Sequence, residues 1–116
     1  MFKLKRIYEA PSPDDGARVL VDRLWPRGVS KARASLDLWL RDIGPSTDLR
    51  KWFDHDPAKW SEFEARYFKE LEQRTELIAD LRRRGRDGTV TLLYAARDNE
   101  HNEAVALKAF LDKGSR

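Results

Sequence analysis

One short segment combines arginine, aspartate and tryptophan in a pattern suited to binding an anion. It spans Asp22–Gly28 and follows an apolar run directly, where a strand would end. A guanidinium group presents a planar fork of N–H donors that matches carboxylate or phosphate oxygens, and an indole ring can stack on a flat ligand. The alternative is a structural role, in which Asp22 pairs with an arginine and the indole fills the edge of the core. The ligand-binding candidates in this region are Arg23, Trp25, Arg27 and Lys31.

A second candidate segment, Tyr94–Asn102, leaves the most strand-like run of the chain and enters a helix. The free N–H groups at the N-terminus of a helix favour negatively charged groups. Tyr94 is a further candidate for stacking on a ligand. Asp98 and His101, together with Asp22, are the candidates for proton transfer, because carboxylates and imidazoles serve as general acids and bases. The alternative for His101 is a hydrogen-bonded position in the core, since it falls on the apolar stripe of the helix.

The other histidine, His55, stands between Asp54 and Asp56 and could also act as a general acid or base. Asp56 followed by Pro57 is typical of a helix start, which favours a structural or capping role for this segment and leaves the role of His55 open. The two histidines have no spacing typical of a metal site, and the chain contains no cysteine. The sequence therefore predicts no metal and no cofactor, and it excludes thiolate chemistry.

Apolar patterns divide the chain into the elements that must position these residues. An aromatic stripe that starts at Trp60 predicts a long helix with a bend or break near residues 73–75. Gly85 predicts the end of the helical region, and Asp98 or Asn99 predicts the start of the final helix. Apolar runs and alternation predict strands over residues 3–8, 18–24, 36–43 and 89–95.

This order of elements indicates an α/β fold, because apolar strands alternate with amphipathic helices. We expect one compact domain over residues 1–116, with a mostly parallel central sheet of about four or five strands flanked by helices. Ligands of open α/β sheets bind at the carboxyl ends of the strands. Because both candidate segments follow such ends, we expect them to adjoin in one cleft.

Composition narrows the class of protein further. The chain has 116 residues, of which 37% are charged, and its net charge is only +3. No apolar run approaches the ~18 residues of a membrane span, and the first residues lack the apolar segment of a secretory signal, so we expect a cytoplasmic location. The basic run Arg82–Arg86 is an alternative surface for nucleic acid or protein, although arginines at a helix end commonly face solvent and interact with the helix dipole.

Three stretches of the chain resemble the YeaO-like family of small bacterial proteins, which share a domain of unknown function. The stretches are residues 18–31 (RVLVDRLWPRGVSK), 52–71 (WFDHDPAKWSEFEARYFKEL) and 91–104 (TLLYAARDNEHNEA). The resemblance covers nearly the whole chain. It implies a compact α/β fold in the cytoplasm and no established reaction.

The resemblance extends to a wider superfamily, which has an Asp-x-Arg-like segment after an early strand, similar to Asp22-Arg23 here. That superfamily also has a late strand ending in Cys and a Cys-His-Arg triplet at the start of the next helix. In this chain Tyr94 and the triplet Glu100-His101-Asn102 occupy the matching positions. Both cysteines are therefore absent, and the thiol or Cys–metal chemistry of that branch does not carry over.

These residues together predict a protein that binds a small anionic or nucleotide-like ligand in a cleft at the strand ends. Whether the ligand is turned over stays open at this point, as does the oligomeric state. The alternative function is a non-catalytic module that binds nucleic acid or protein through Arg82–Arg86.

Overall fold

A four-stranded parallel sheet forms the centre of the protein in the computed structural model, which describes residues 1–113. The order of the strands across the sheet is β1-β4-β2-β3, and every neighbouring pair is parallel. This confirms the predicted α/β class with a parallel sheet. The strands are β1 (Phe2–Arg6), β2 (Ala17–Leu20), β3 (Leu38–Trp39) and β4 (Val90–Tyr94).

Strand β4 is buried along its whole length because it pairs with β1 on one side and β2 on the other. Its apolar run VTLLY is the pattern expected of a parallel strand that is covered on both faces. In the register with β2, Val19 lies opposite Leu92 and Leu20 lies opposite Leu93. Both β2 and β4 therefore end at the same edge of the sheet, where their following loops meet.

In the described part of the chain, five α-helices connect and cover the strands. A large apolar cluster lies on one face of the sheet and includes residues of the four longer helices, and a smaller cluster around Leu20, Leu93 and Ala34 lies on the other face. None of the helices within residues 1–113 is long and apolar enough to cross a membrane. The helices are α1 (Lys31–Ala34), α2 (Thr47–Phe53), α3 (Trp60–Glu72), α4 (Thr75–Asp87) and α5 (Glu103–Lys113).

The predicted aromatic stripe is confirmed in α3, where Phe63, Tyr67 and Leu71 are buried and Trp60 is half-buried. The break predicted near residues 73–75 is also confirmed, since α3 ends at Glu72 and α4 begins at Thr75. Apolar positions spaced three and four apart bury one face of a helix whatever lies beyond it. This local spacing is why the stripe could be identified without knowing its partners.

Several predicted boundaries are wrong. The second strand ends at Leu20, and the predicted third strand shrinks to two residues followed by a 3-10 helix at Arg41–Ile43. Gly85 is not a helix end but lies inside α4, packed against the ring of Phe2. A Cβ at this glycine would approach that ring to 2.6 Å, so close packing rather than termination explains the glycine.

The start of the final helix also differs from the prediction. Asp98 binds the backbone N–H groups of Glu100 and His101 in a turn that precedes the helix. The side chain of Asn102 accepts the N–H of Val105 and so occupies the capping position of α5. Both aspartate and asparagine can cap a helix, and the turn around Asp98 moves the start to Glu103.

Candidate functional site

A cleft of about 900 Å³ lies at the edge of the sheet where β2 and β4 end. Its lining comes from the segments that follow these strands and from α2 with the residues just after it. The Asp22 carboxylate accepts a 2.9 Å hydrogen bond from the backbone N–H of Ala95, which joins the two segments directly. The expectation that they adjoin in one cleft is therefore confirmed.

Two carboxyl groups meet in this cleft, those of Asp22 and Glu103. Burial of Asp22 and its hydrogen bond to the Glu103 carboxyl raise the pKa of Asp22 to about 9, against the opposing effects of the Ala95 N–H and of Arg50. The Oδ1 atom of Asp22 is buried, and no N–H or O–H donor of residues 1–113 reaches it. A hydrogen bond between two carboxyl groups requires that one of them hold a proton.

Arg23 lines the cleft, and two of its three guanidinium nitrogens donate to carbonyls of the protein's own backbone. Its Nε donates to the carbonyl of Pro45 at 2.8 Å, and its Nη2 donates to the carbonyl of Gly44 at 2.9 Å. The guanidinium fork that the sequence assigned to an anion is therefore directed at the backbone ahead of α2. Arg23 forms no salt bridge with a carboxylate of residues 1–113.

The other predicted ligand-binding residues divide into two groups. Trp25 and Arg27 line the cleft; Arg27 is exposed, and the indole N–H of Trp25 donates to the carbonyl of Val29 at 2.7 Å. Lys31 is exposed at the start of α1 and is not part of the lining. Tyr94 is only 4% exposed and lies outside the lining, and burial raises the pKa of its hydroxyl. The structure thus brings Trp25 and Arg27 to the cleft and leaves Lys31 and Tyr94 away from it.

The proton-transfer candidates Asp98 and His101 form a close pair. The His101 ring Nδ1 lies 2.9 Å from Asp98 Oδ2, and the edge of the imidazole packs against Trp60. Hydrogen bonds from the Glu100 N–H and then from His101 lower the pKa of Asp98. Asp98 lines the cleft and His101 does not, so the imidazole contributes as a partner of this carboxylate and not as part of the lining.

The structure adds several cleft residues that sequence reasoning missed. Glu103 begins α5, and an acidic residue in the first turn of a helix carries no further sequence signal because such residues are common there. Arg50 lies in α2; its Nε is buried without a hydrogen-bond partner among residues 1–113, and its Nη2 has only Thr47 Oγ1 at 3.4 Å. His55, whose role the sequence left open, also lines the cleft, with its backbone in the left-handed region at φ 55°.

Positive charge in the cleft is largely free of salt bridges. None of four lining side chains forms one with a carboxylate of residues 1–113: Arg27, Arg50, Lys51 and Arg97. No group of three or more histidine, cysteine, aspartate or glutamate side chains in the described part of the chain is arranged to hold a metal ion. The arrangement is suited to holding an anion through cationic side chains.

The chain is similar to the members of a known protein family. A model described as the inactive DUF488-N3 subclade matches residues 1–115. The chain belongs to this family. The uncharacterized protein YeaO of Escherichia coli (strain K12) is 40% identical over 113 residues, which cover 95% of this chain and 96% of that protein. The predicted resemblance to the YeaO-like family is therefore confirmed.

Other relatives of this DUF488-N3 member are also uncharacterized. A protein of Mycobacterium tuberculosis (strain ATCC 25618 / H37Rv) is 39% identical over 110 residues, covering 95% of this chain and 92% of the relative. A protein of Mycobacterium bovis matches to the same extent. No solved structure matches the chain significantly.

In this DUF488-N3 protein, the two positions that the superfamily resemblance matched to cysteines present no nucleophile to the cleft. Tyr94 is buried and Glu100 is exposed, and neither belongs to the lining of the cleft. The cleft therefore retains acidic, basic and aromatic side chains without a thiol.

Proposed function

We propose that this protein binds a small anionic, nucleotide-like ligand in the cleft at the ends of β2 and β4, and that it binds the ligand without turning it over. A cytoplasmic location belongs to the same proposal. The observation that carries it is the set of cationic side chains, Arg27, Arg50, Lys51 and Arg97, which share one cleft without salt bridges inside the described chain.

Arg50 is the strongest of these candidates. It is half-buried beside the Asp22–Glu103 pair, whereas Arg27, Lys51 and Arg97 are exposed at the rim. The Nε of Arg50 is buried without an acceptor, so this N–H group has lost its hydrogen bonds to water and gained none in exchange. An anionic oxygen supplied by a ligand would restore that hydrogen bond, and it would do so in a partly desolvated place where charge interactions are stronger than in water.

The remaining wall of the cleft favours a ligand with a flat or apolar part. Leu24 is 67% exposed at the cleft, and Trp25, Pro26 and Pro45 continue this apolar lining. The hydrogen bond from Trp25 to Val29 holds the indole in place, which reduces the entropy lost when a ring packs against it. A volume of about 900 Å³ is within the range of sites for small molecules, roughly 300–1,000 Å³.

Binding without turnover agrees with two observations. The family model that matches the chain describes its subclade as inactive. The chain has no cysteine, and Asp98 and His101 already bind each other at the edge of the cleft. The sequence-predicted roles of Asp22, Asp98 and His101 in proton transfer stay untested predictions.

The alternative function through the basic run receives less support from the geometry. Arg82 donates to the carbonyl of Phe110, and Arg83 and Arg84 both engage Asp80. These side chains are tied to the protein's own acceptors, whereas a nucleic-acid surface would present them to phosphates. Changing Arg82, Arg83 and Arg84 together to Gln should leave ligand affinity intact. Strong nucleic-acid binding that collapses in this triple variant would favour the alternative.

The test is calorimetric titration with adenosine monophosphate, adenosine and sulfate. We expect adenosine monophosphate to bind more tightly than either part alone. Arg50→Gln should weaken its binding by roughly 10- to 150-fold, the loss of a charged hydrogen bond of about 1.5–3 kcal/mol. The matched control is Arg86→Gln, because Arg86 is exposed on α4 outside the cleft. Equal effects of the two substitutions, or no binding of any of the three probes, would reject the proposal.

A further inference from the structure

The two carboxyl groups at the inner part of the cleft pose a problem for anion binding. Asp22 and Glu103 are half-buried and hydrogen bonded to each other, and both line the cleft. If both were ionised, two negative charges would lie beside the place where the anion enters. Coulomb repulsion between like charges is strong where water is partly excluded.

The contacts of Asp22 leave room for one proton on the pair. Its Oδ2 accepts the Ala95 N–H, while its buried Oδ1 is reached by no N–H or O–H donor of residues 1–113. Besides the Ala95 N–H, the Asp22 carboxyl forms a hydrogen bond with the Glu103 carboxyl. One proton between the carboxyls satisfies this contact and reduces the charge of the pair to a single negative charge, which faces Arg50.

We infer that the Asp22–Glu103 pair must hold this proton for the cleft to accept an anion, so that ligand binding is coupled to the protonation of the pair and is weakened at alkaline pH. The inference rests on the proposed function. It assigns the pair a regulatory role in the site rather than contact with the ligand.

Other charged and titratable groups surround the pair. Arg50 of α2 stabilises the ionised form of Asp22. Burial raises the pKa of the Tyr67 hydroxyl of α3, the carboxylates of Glu103 and Glu70 raise it further, and Arg74 and Arg23 act in the opposite direction. The remaining charged or titratable groups that line the cleft are Tyr8, Arg27, Lys51, Asp54, His55, Arg97 and Asp98.

The experiment measures the affinity for sulfate and for adenosine monophosphate as the pH is raised through the pKa of about 9. Sulfate carries a fixed charge over this range, so its own titration does not contribute. In the wild type we expect sulfate affinity to fall roughly tenfold or more across this pH, because a second carboxylate charge appears within the cleft. The range stops below the usual pKa of lysine, about 10.4, so that Lys51 keeps its charge.

Asp22→Asn is the decisive variant. Its amide oxygen can still accept the Ala95 N–H, and its NH₂ group can donate to Glu103 as the shared proton does. We expect its sulfate affinity to stay nearly constant over the same pH range. We expect the same result for Glu103→Gln, which changes the other carboxyl group of the pair. This variant replaces Asp22→Asn if Asp22→Asn does not fold.

Asp54→Asn is the matched control. It also removes a carboxylate from the cleft lining, at an exposed position with φ 48° that asparagine tolerates. Its sulfate affinity should differ from that of the wild type by the same factor at every pH, so the decline of affinity with rising pH should be as steep as in the wild type. Sulfate binding that is independent of pH in the wild type, or equally steep in Asp22→Asn, overturns the inference and leaves the proposed function standing. No sulfate or nucleotide binding at any pH overturns both.

Discussion

Arg23 donates a hydrogen bond from Nε to the carbonyl of Pro45 at 2.8 Å, which ties the end of β2 to the segment that leads into α2. Its Nη2 reaches the neighbouring carbonyl of Gly44, which also accepts a hydrogen bond from Arg74. Because α2 carries Arg50 into the cleft, these hydrogen bonds let Arg23 hold a cleft residue in position through the backbone, while its contact with a ligand stays a prediction.

This relationship predicts that Arg23→Lys lowers stability in the absence of any ligand. A lysine ammonium cannot reach two adjacent carbonyls with the planar geometry of a guanidinium, and Pro45 would lose its donor. The expected cost is about 1–3 kcal/mol in the free energy of unfolding, measured by urea denaturation. Arg86→Gln, outside the cleft, serves as the control. Unchanged stability together with lost anion binding would instead show that Arg23 contacts the ligand.

Phe63→Ala should strongly destabilise the protein. The Phe63 ring is 2% exposed and stacks on Phe53 with 4.3 Å between ring centroids, so its removal leaves a cavity between α2 and α3. We expect a loss of roughly 3–5 kcal/mol in the free energy of unfolding by chemical denaturation. Phe63→Leu, which retains most of the volume, should cost clearly less. An unchanged denaturation midpoint for the alanine variant would mean that the stripe of α3 is not in the core.

The Asp22–Glu103 pair predicts how stability changes with pH. The pKa of Asp22 is raised from 3.8 to about 9, so the folded state holds a proton that the unfolded state has released between these values. This contribution is fully present below about pH 4 and is lost as the pH rises toward 9. Thermal denaturation of the wild type should show this decline across that window, and Asp22→Asn should show a flatter profile and higher stability at neutral pH. Parallel profiles would mean that the pair does not hold a proton.

Because of Asp15, we expect stability to fall as the pH is lowered in the acid range, which is opposite to the effect of the Asp22–Glu103 pair. Burial opposes its ionisation, but hydrogen bonds from Lys5, the Ser12 N–H and Arg18 outweigh that effect and lower the pKa of Asp15 to about 2. The stabilisation is present above the unfolded value of 3.8 and is lost as the pH falls through about 2.

Asp15→Asn is expected to cost about 3–5 kcal/mol at neutral pH, because it leaves the charge of Arg18 buried without its partner. The measurement is chemical denaturation at neutral pH and near pH 2. The difference between variant and wild type should narrow at the lower pH. A difference that is the same at both values would show that ionisation of Asp15 contributes nothing. Asp14→Asn, at an exposed neighbouring position, is the control.

The sequence by itself determined the features that depend on local spacing. The apolar run of β4, the stripe of Phe63 and Tyr67, and the break after Glu72 all follow from which neighbouring positions are apolar. Burial on one face of a helix or on both faces of a strand requires such a pattern whatever the partner is. The location of the cleft was also predictable, because strand ends in a parallel sheet form a common edge.

Only the tertiary structure decided which side chains meet at that edge. The strand order β1-β4-β2-β3 places the loop after β2 beside the loop after β4 and brings Glu103 to Asp22, two residues far apart along the chain. Arg23 turned to the carbonyls of Gly44 and Pro45 because the chain passes there on its way to α2. Tyr94 is buried because it is the last residue of the central strand β4. Gly85 packs against the ring of Phe2, and no local pattern in the sequence indicates this contact. Hydrogen-bond partners and close packing depend on distances in space, and the local patterns of a single sequence reveal neither the order of the strands nor the path of their connections.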